Sequence, residues 1–219
     1  MMSDEDLRKP LVRRLFATPV IEAMLPDAPA RNAALLDAIR ARKAASPGIT
    51  RSNVNGWHSD SQMLSWGGPA AKAVALDTLR LCGRYTTDIG MRNNQPRYEM
   101  SIEMWANVSP PGASNQNHAH AGALWSAVYY VDDGGDPEGG ALTLLDPRFP
   151  MSRMYAPDLQ FADEDGAREE NIVKIRPVPG KVVMFPAWLM HGVQPHNGAR
   201  ERVSIAMNIM AIPARPPTG

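Results

Sequence analysis

The chain has 219 residues, of which 44% are hydrophobic and 21% charged, a balance that excludes a wholly disordered protein and suffices for one domain with a substantial core. Its 23 basic and 23 acidic side chains cancel to a formal net charge of zero, so no excess positive charge indicates a nucleic acid or an anionic membrane as partner. The single cysteine, Cys82, excludes an internal disulfide and is expected to be a buried small side chain. No apolar run reaches the roughly eighteen residues of a membrane span, and the N-terminus does not resemble a secretory signal, so we expect a cytoplasmic protein.

The first part of the chain predicts one strand and two helices. A strand is expected over residues 11–21, cut short by Pro19. A helix is expected over residues 28–45, because apolar residues recur there at helical spacing and Asp27 can cap its first turn. A second helix is expected over about residues 69–86 for the same reason of spacing. We expect both helices to support a sheet rather than to carry chemistry.

From residue 97 onward the sequence alternates and is broken by glycine and proline turns, which predicts a series of strands. The segment 147–171 has weak periodicity, and both a binding loop and a solvated excursion remain open for it. Many short strands after helices favour a mainly β fold, an antiparallel barrel or a jelly roll. We expect one domain over residues 1–219, with a helical N-terminal part at 1–96 and a β core at 97–212. The predicted strands of this core cover residues 98–108, 124–131, 141–145, 172–176, 181–185 and 202–212.

Three histidines are candidate metal ligands. His118 and His120 are two residues apart, a spacing that places both side chains on one face of a strand, and His191 opens a later strand. Imidazole binds iron(II), zinc and copper(II), and three such ligands leave positions open for substrate or oxygen. The alternative for the close pair is hydrogen bonding in a polar turn. We expect His196 to lie in an exposed loop and His58 to be a satisfied or surface histidine.

A candidate anion site follows eleven residues after the third histidine. Arg202, Ser204 and Asn208 share one face of the last predicted strand, while Val203 and Ile205 face the other way. A guanidinium on a face of small and polar residues indicates a pocket in which it can hold a carboxylate, with the Ser204 hydroxyl adding a hydrogen bond. The alternative is an arginine that is solvated or salt-bridged at the surface.

Taken in their order along the chain, seven short motifs resemble the 2-oxoglutarate- and iron(II)-dependent oxygenases and, more distantly, the prolyl-hydroxylase type. The resemblance covers roughly residues 97–212 and implies a double-stranded β-helix, which is a jelly roll, with iron(II) at its mouth. The motifs are His118-x-His120, Ala127-Val128-Tyr129-Tyr130-Val131, Gly139-Gly140-Ala141-Leu142, Asp146-Pro147-Arg148, Pro179-Gly180, Phe185-Pro186-Ala187-Trp188-Leu189-x-His191 and Arg202-x-Ser204-x-x-x-Asn208.

The same resemblance implies a metal-ligand set. His118 matches the first metal histidine and His191 the distal one. His120 stands where the wider superfamily has an aspartate or glutamate. A third neutral imidazole leaves the site more positive than a carboxylate would until a dianionic cosubstrate binds.

The resemblance also implies a cosubstrate site for 2-oxoglutarate. Arg202 and Ser204 match the groups that bind its distal carboxylate, with Asn208 in the same motif, and Tyr129 or Tyr130 lies where a tyrosine often assists. The acidic residues Asp132, Asp133 and Asp136 could supply a carboxylate to the metal, but they follow a strand and are expected at its opposite end.

The implied activity is an oxygenase that uses iron(II), 2-oxoglutarate and O2 to hydroxylate a small-molecule or amino-acid-type substrate, releasing succinate and CO2. We expect no nucleic acid and no membrane as partner, and a homodimer is left open. Trp125, Trp188 and Met190 are candidates for dry walls of the site, with core packing as the alternative. Two other functions remain open: a cupin-type three-histidine iron dioxygenase that does not use 2-oxoglutarate, and a non-enzymatic metal-binding module.

Overall fold

The computed structural model describes residues 15–91, 93–136, 138–148, 158–163 and 165–214. The two predicted helices are confirmed as α1 (Ala28–Ala45) and α3 (Gly68–Arg84). The single turn α2 (Met63–Trp66) between them was not predicted. Asp27 precedes α1 in the left-handed region, with φ 54°, and its side chain makes no capping hydrogen bond, so the predicted cap is wrong. Helices long and apolar enough to cross a membrane are absent from the described ranges.

The strands of the described residues form two antiparallel sheets. The larger sheet runs in the order β1 (Ile21–Met24), β9 (Lys181–Pro186), β6 (Trp125–Asp132), β11 (Arg202–Pro213), β4 (Tyr98–Ser109) and β3 (Trp57–His58). The smaller sheet runs in the order β2 (Asn53–Val54), β5 (Ser114–His118), β10 (His191–Val193), β7 (Leu142–Leu145) and β8 (Ile172–Ile175). This mainly β architecture is the predicted jelly roll.

The first strand begins later than expected. Residues 15–20 contain no strand, Phe16 has a positive φ of 61°, and β1 starts only at Ile21, after Pro19. β1 is the edge strand of the larger sheet, and its pairing with β9 begins at Ile21. Residues 11–14 of that prediction lie outside the described residues. The strands β2, β3 and β5 were not predicted, because they are short and mostly polar.

The larger sheet is covered on both faces. Leu35 of α1 and Val74 of α3 pack against one face together with strand residues such as Ile205, and Cys82 is buried there as expected. The smaller sheet covers part of the other face, where Leu142 packs with apolar residues of β6 and β9. Because alternate residues of a strand point to opposite faces, β6 and β11 are apolar at most positions along their length. The remaining space between the sheets forms the site.

Candidate metal centre

Two of the predicted ligands face each other in the smaller sheet. His118 ends β5 and His191 begins β10, and the antiparallel register pairs them with ring centroids 4.4 Å apart. The Nδ1 atom of each ring lies 2.7 Å from a backbone carbonyl oxygen, that of Gln116 for His118 and that of Leu189 for His191. Since a carbonyl only accepts, Nδ1 donates in both rings, and the Nε2 lone pair is left free to bind a metal.

His120 reaches the same point from outside the strand. Strand β5 ends at His118, so the predicted placement of both histidines on one strand face is wrong. The backbone N–H of His120 instead donates to the carbonyl of Ala187 at 2.9 Å. Its ring centroid lies 4.9 Å from that of His118 and 5.2 Å from that of His191. Loop geometry therefore brings the pair together, where the sequence argument relied on strand alternation.

The three imidazoles form a group with the spacing of a mononuclear site. One ring nitrogen of each lies within 4.8 Å of those of the other two, and no further cluster of three or more metal-ligating side chains occurs in the described ranges. Nitrogen ligands bonded to one ion at about 2.1 Å lie roughly 3 Å apart, so the three rings are close enough to share an ion. The donor set fits iron(II), zinc or another borderline ion. Asp132, Asp133 and Asp136 lie outside this group, and Asp132 pairs with Arg200.

Burial keeps the site ready for a cation. Desolvation lowers the pKa of His191 to about 4 and that of His120 to about 4, and the neighbouring His118 adds to both shifts. Both rings are therefore neutral near pH 7. Neutral rings keep their lone pairs, which is the condition for binding a metal ion.

Arg202 lies deep in the same cavity without a counter-charge. It opens β11, is 1% exposed, and pairs with no carboxylate among the described residues. Its Nη1 lies 3.4 Å from the Ser204 hydroxyl, while Nε and Nη2 have no hydrogen-bond partner. Burial lowers the pKa of this guanidinium, although arginine stays charged in proteins. An unpaired buried guanidinium is costly, and an anionic ligand at this position would supply the missing partner.

The two adjacent tyrosines lie on opposite faces of β6. The Tyr130 ring lies 5.3 Å below the Arg202 guanidinium, and its buried hydroxyl has no hydrogen-bond partner. Tyr129 faces the helices, where its hydroxyl donates to Asn32 at 2.7 Å. The assignment of Tyr129 to the cosubstrate site is therefore wrong, and Tyr130 is the tyrosine beside Arg202.

Asn208 is also displaced from its expected role. It lies six residues from Arg202 along β11, a separation of about 20 Å on an extended strand, and so does not line the anion pocket beside the guanidinium. Its Nδ2 lies 3.3 Å from Nδ1 of His120, and its Oδ1 accepts from the Ser126 hydroxyl at 3.2 Å. The structure thus separates the predicted anion group: Ser204 stays with Arg202, and Asn208 joins the metal cluster.

A cavity of about 490 Å³ joins these parts. The sequence argument missed two of its walls, His58 and Trp105, whose rings stack at a centroid distance of 5.5 Å and an angle of 13°. Trp105 also lies 5.8 Å from His120. His58 is buried, and burial lowers its pKa. Its Nδ1 donates to the Ser59 carbonyl, so its hydrogen bonding is satisfied as expected, but its ring lines the cavity. The sequence carried no signal for this stack, because strand β3, which places His58 opposite Asn107 of β4, has only two residues.

Other expectations about single residues need correction. His196 is fully buried rather than exposed, and its Nε2 donates to the Arg200 carbonyl at 2.7 Å. Trp125 packs in the core between sheet and helices, which was the alternative to a wall of the site. Trp188 is 56% exposed and Met190 40% exposed, so neither is a dry wall.

Comparison with known proteins agrees with this geometry. Residues 103–208 match the family model described as "Putative 2OG-Fe(II) oxygenase", and this stretch contains all three histidines and Arg202. No curated protein matches the sequence of this chain.

Several solved structures share the fold. A prolyl-4-hydroxylase from Pseudomonas putida is 22% identical and has a TM-score of 0.56, over 92% of this chain and 96% of that one. A Trichoplax adhaerens prolyl hydroxylase, solved with a hypoxia-inducible factor peptide, is 15% identical with a TM-score of 0.58, over 88% and 82% of the two chains. HygX from Streptomyces hygroscopicus, solved with nickel and 2-oxoglutarate, is 15% identical with a TM-score of 0.57, over 88% and 83%. Residues 103–208 thus match the 2-oxoglutarate- and iron(II)-dependent oxygenases, which are oxidoreductases with iron(II) as cofactor and 2-oxoglutarate as cosubstrate.

Proposed function

We propose that this protein hydroxylates a small-molecule or amino-acid-type substrate, consuming O2 and 2-oxoglutarate and releasing succinate and CO2. His118, His120 and His191 hold the iron, and Arg202 holds the cosubstrate. The observation that carries the proposal is a three-nitrogen metal cluster and an unpaired buried guanidinium that line one cavity. The iron supplies the oxidising power that breaks a substrate C–H bond. The protein supplies binding, orientation and exclusion of water.

The cosubstrate end fits a dicarboxylate. The two free guanidinium nitrogens of Arg202, the Ser204 hydroxyl and the unpartnered Tyr130 hydroxyl provide donors for one carboxylate in a water-poor pocket. Arginine binds carboxylates with two parallel hydrogen bonds, and such charge-assisted bonds are about twice as strong as neutral ones. Binding there gives partners to groups that otherwise remain unsatisfied. The other end of the diacid then extends toward the histidine cluster in the same cavity.

Apolar side chains keep this inner part of the cavity dry. Phe185 packs edge-on against His191 with ring centroids 4.7 Å apart, and Leu142 lines the same wall from β7. Both are buried. Low local polarity strengthens the Arg202–carboxylate attraction and protects reactive species from water.

The outer part of the cavity supports a polar, amino-acid-type substrate. Arg51 and Glu103 both line it, both are exposed, and neither has an ion-pair partner in the described part of the chain. The Trp105–His58 stack lines the same cavity, and the Trp105 ring lies 5.8 Å from that of His120. A substrate that carries both a carboxylate and an amine would find one opposite charge for each.

Turnover measurements test this function. Anaerobically purified protein is loaded with iron(II), and succinate and O2 uptake are followed with and without 2-oxoglutarate across a panel of amino acids and other small molecules. We expect succinate formation that needs both iron and 2-oxoglutarate and that rises with the correct substrate. Iron binding with O2 uptake that is independent of 2-oxoglutarate would contradict the proposal and favour a cupin-type dioxygenase. The Arg202→Met variant tests the assigned role of Arg202 in the same assay. Arg200→Met is its control, because Arg200 lies two residues away and its side chain is 62% exposed.

The domain organisation belongs to the same proposal. We take residues 1–219 as one oxygenase domain, with residues 1–96 as the supporting helical part and residues 97–212 as the β core. The homodimer stays a prediction, which sedimentation of the purified protein would check.

A further inference from the structure

We propose that Asn208 is a positioning residue that holds His120 in the tautomer whose Nε2 can bind the metal, with Ser126 anchoring the amide. The inference rests on the proposed function only in taking His120 as a ligand. It concerns the third imidazole, His120, which stands where the wider superfamily has an aspartate or glutamate.

The three rings are not held alike. His118 and His191 each donate from Nδ1 to a backbone carbonyl, which fixes their tautomers without help from any side chain. His120 lies beyond the end of β5, and the only group recorded at its Nδ1 among the described residues is the Asn208 amide, at 3.3 Å. A metal-bound histidine generally donates its second ring N–H to an oxygen, and loss of that partner weakens metal binding by about 10- to 100-fold. Asn208 is thus placed to do for His120 what the backbone does for the other two rings.

The amide orientation decides which tautomer His120 adopts. With Nδ2 of Asn208 toward the ring, the amide donates to Nδ1, and the ring hydrogen is forced onto Nε2, where it blocks a metal. With Oδ1 toward the ring, Nδ1 donates and the Nε2 lone pair is free. The two ends of an amide are nearly equal in size, so a half-turn exchanges these states without a change of shape. Metal binding requires the orientation with oxygen toward His120.

Ser126 permits that orientation. Its hydroxyl lies 3.2 Å from the far end of the Asn208 amide, and a hydroxyl can donate or accept. When Oδ1 turns to His120, Nδ2 turns to the Ser126 oxygen and donates to it. In that arrangement the His120 Nδ1–H donates to Asn208 Oδ1, and Asn208 Nδ2 donates to the Ser126 oxygen.

The anchor is rigid because Asn208 lies in the middle of the larger sheet. The register places it opposite Glu103 of β4 on one side and Ser126 of β6 on the other. The loop residue His120 is thereby tied to the larger sheet through its side chain, whereas the other two ligands belong to the smaller sheet. An aspartate at position 120 would not need such a partner, because a carboxylate has no hydrogen to place.

Two variants and one control test the inference. Asn208→Ala removes the amide, Asn208→Asp keeps an acceptor of the same shape, and Asn32→Leu removes the buried hydrogen bond to Tyr129 on the far face, so it reports loss of stability alone. The cobalt(II) and iron(II) dissociation constants are measured anaerobically without 2-oxoglutarate. Histidine tautomers are read from ¹H–¹⁵N NMR spectra of the metal-free proteins at pH 7.5.

We expect Asn208→Ala to weaken metal binding by about 10- to 100-fold, and Asn208→Asp to bind within about threefold of the wild type or more tightly. The metal-free wild type shows His120 protonated on Nδ1, and Asn208→Ala shows a mixture. Three results would each overturn the inference. The first is a wild-type His120 that is protonated on Nε2, and the second is an unchanged metal affinity in Asn208→Ala. The third is a folded Asn208→Asp protein that binds metal as weakly as Asn208→Ala does. If no form binds metal, the proposed function fails, while the wild-type NMR spectrum still decides the tautomer.

Discussion

Replacing Arg202 by methionine should make the ligand-free protein more stable and unable to hold its cosubstrate. Arg202 is the largest side chain among the fully buried residues of the described structure, and it has no counter-charge there. Because the same unpaired group lowers stability and is proposed to bind the cosubstrate, stability and function are expected to move in opposite directions. Methionine fills a similar volume and adapts to irregular space.

The magnitude follows from the unpaired atoms. Nε and Nη2 lack partners, and each unsatisfied buried donor costs about 1–3 kcal/mol. The cation–π contact with the Tyr130 ring offsets roughly 0.5–2 kcal/mol of that cost. The net cost of the two unpaired atoms is therefore about 0–5.5 kcal/mol, and Arg202→Met should raise the free energy of unfolding of the ligand-free protein by an amount within this range. Loss of the carboxylate partner should weaken 2-oxoglutarate binding by about 2–5 kcal/mol, which is roughly 30- to 5,000-fold in the dissociation constant.

Urea unfolding of the ligand-free protein and calorimetric titration with 2-oxoglutarate measure the two effects. Arg200→Met is the matched control, since its guanidinium is largely exposed and paired with Asp132, and it should shift stability by less than about 1 kcal/mol without changing cosubstrate binding. The reasoning is refuted if Arg202→Met destabilises the ligand-free protein, or if it binds 2-oxoglutarate as the wild type does.

Three further outcomes are expected. Tyr130→Phe removes an unpaired hydroxyl, so it should stabilise the ligand-free protein and weaken 2-oxoglutarate binding about 3- to 15-fold. Tyr129→Phe leaves Asn32 unpaired, so it should lower the free energy of unfolding by about 1–3 kcal/mol and leave 2-oxoglutarate binding unchanged. His120→Asp should tighten iron(II) binding at least about tenfold without 2-oxoglutarate and less with it, because the dianion already supplies negative charge. Burial lowers the pKa of His120 and of His191 to about 4 in the folded protein. As the pH falls, these histidines therefore become protonated in the unfolded chain before they do in the folded protein. The metal-free protein should lose stability between about pH 6.5 and 4, by up to roughly 1.4 kcal/mol per pH unit for each ring.

Each of these outcomes has a control. Calorimetry with 2-oxoglutarate and urea unfolding check the outcome expected for Tyr130→Phe and Tyr129→Phe. A change in the free energy of unfolding with the same sign in both variants would contradict it. For His120→Asp, the neutral His120→Asn separates charge from shape, and equal iron affinities in the two variants would refute the electrostatic reason. For the pH effect, urea unfolding in a chelator is repeated on His191→Gln, which should show a shallower slope, and a slope equal to that of the wild type would count against it.

The sequence determined the parts of this protein that depend on local pattern. The spacing of apolar residues gave the bounds of α1, and alternation gave the long strands β4, β6 and β11 to within a few residues. Motif order alone predicted the family whose model matches residues 103–208, and the expected 2-oxoglutarate and iron(II) agree with that match. These predictions are confirmed because they depend only on the residues within single elements or on the order of the motifs along the chain.

Only the tertiary structure decided which groups meet. Tyr129 and Tyr130 are neighbours, and either could be the site tyrosine by sequence alone. Strand alternation places their side chains on opposite faces of the sheet, and the sequence does not say which face lines the site. Asn208 was grouped with Arg202 by motif, but the loop after β5 folds His120 back onto it. His58 entered the cavity through a two-residue strand too short to show any period. Contacts between distant segments are set by register and by packing of whole sheets, and no local pattern of residues encodes them.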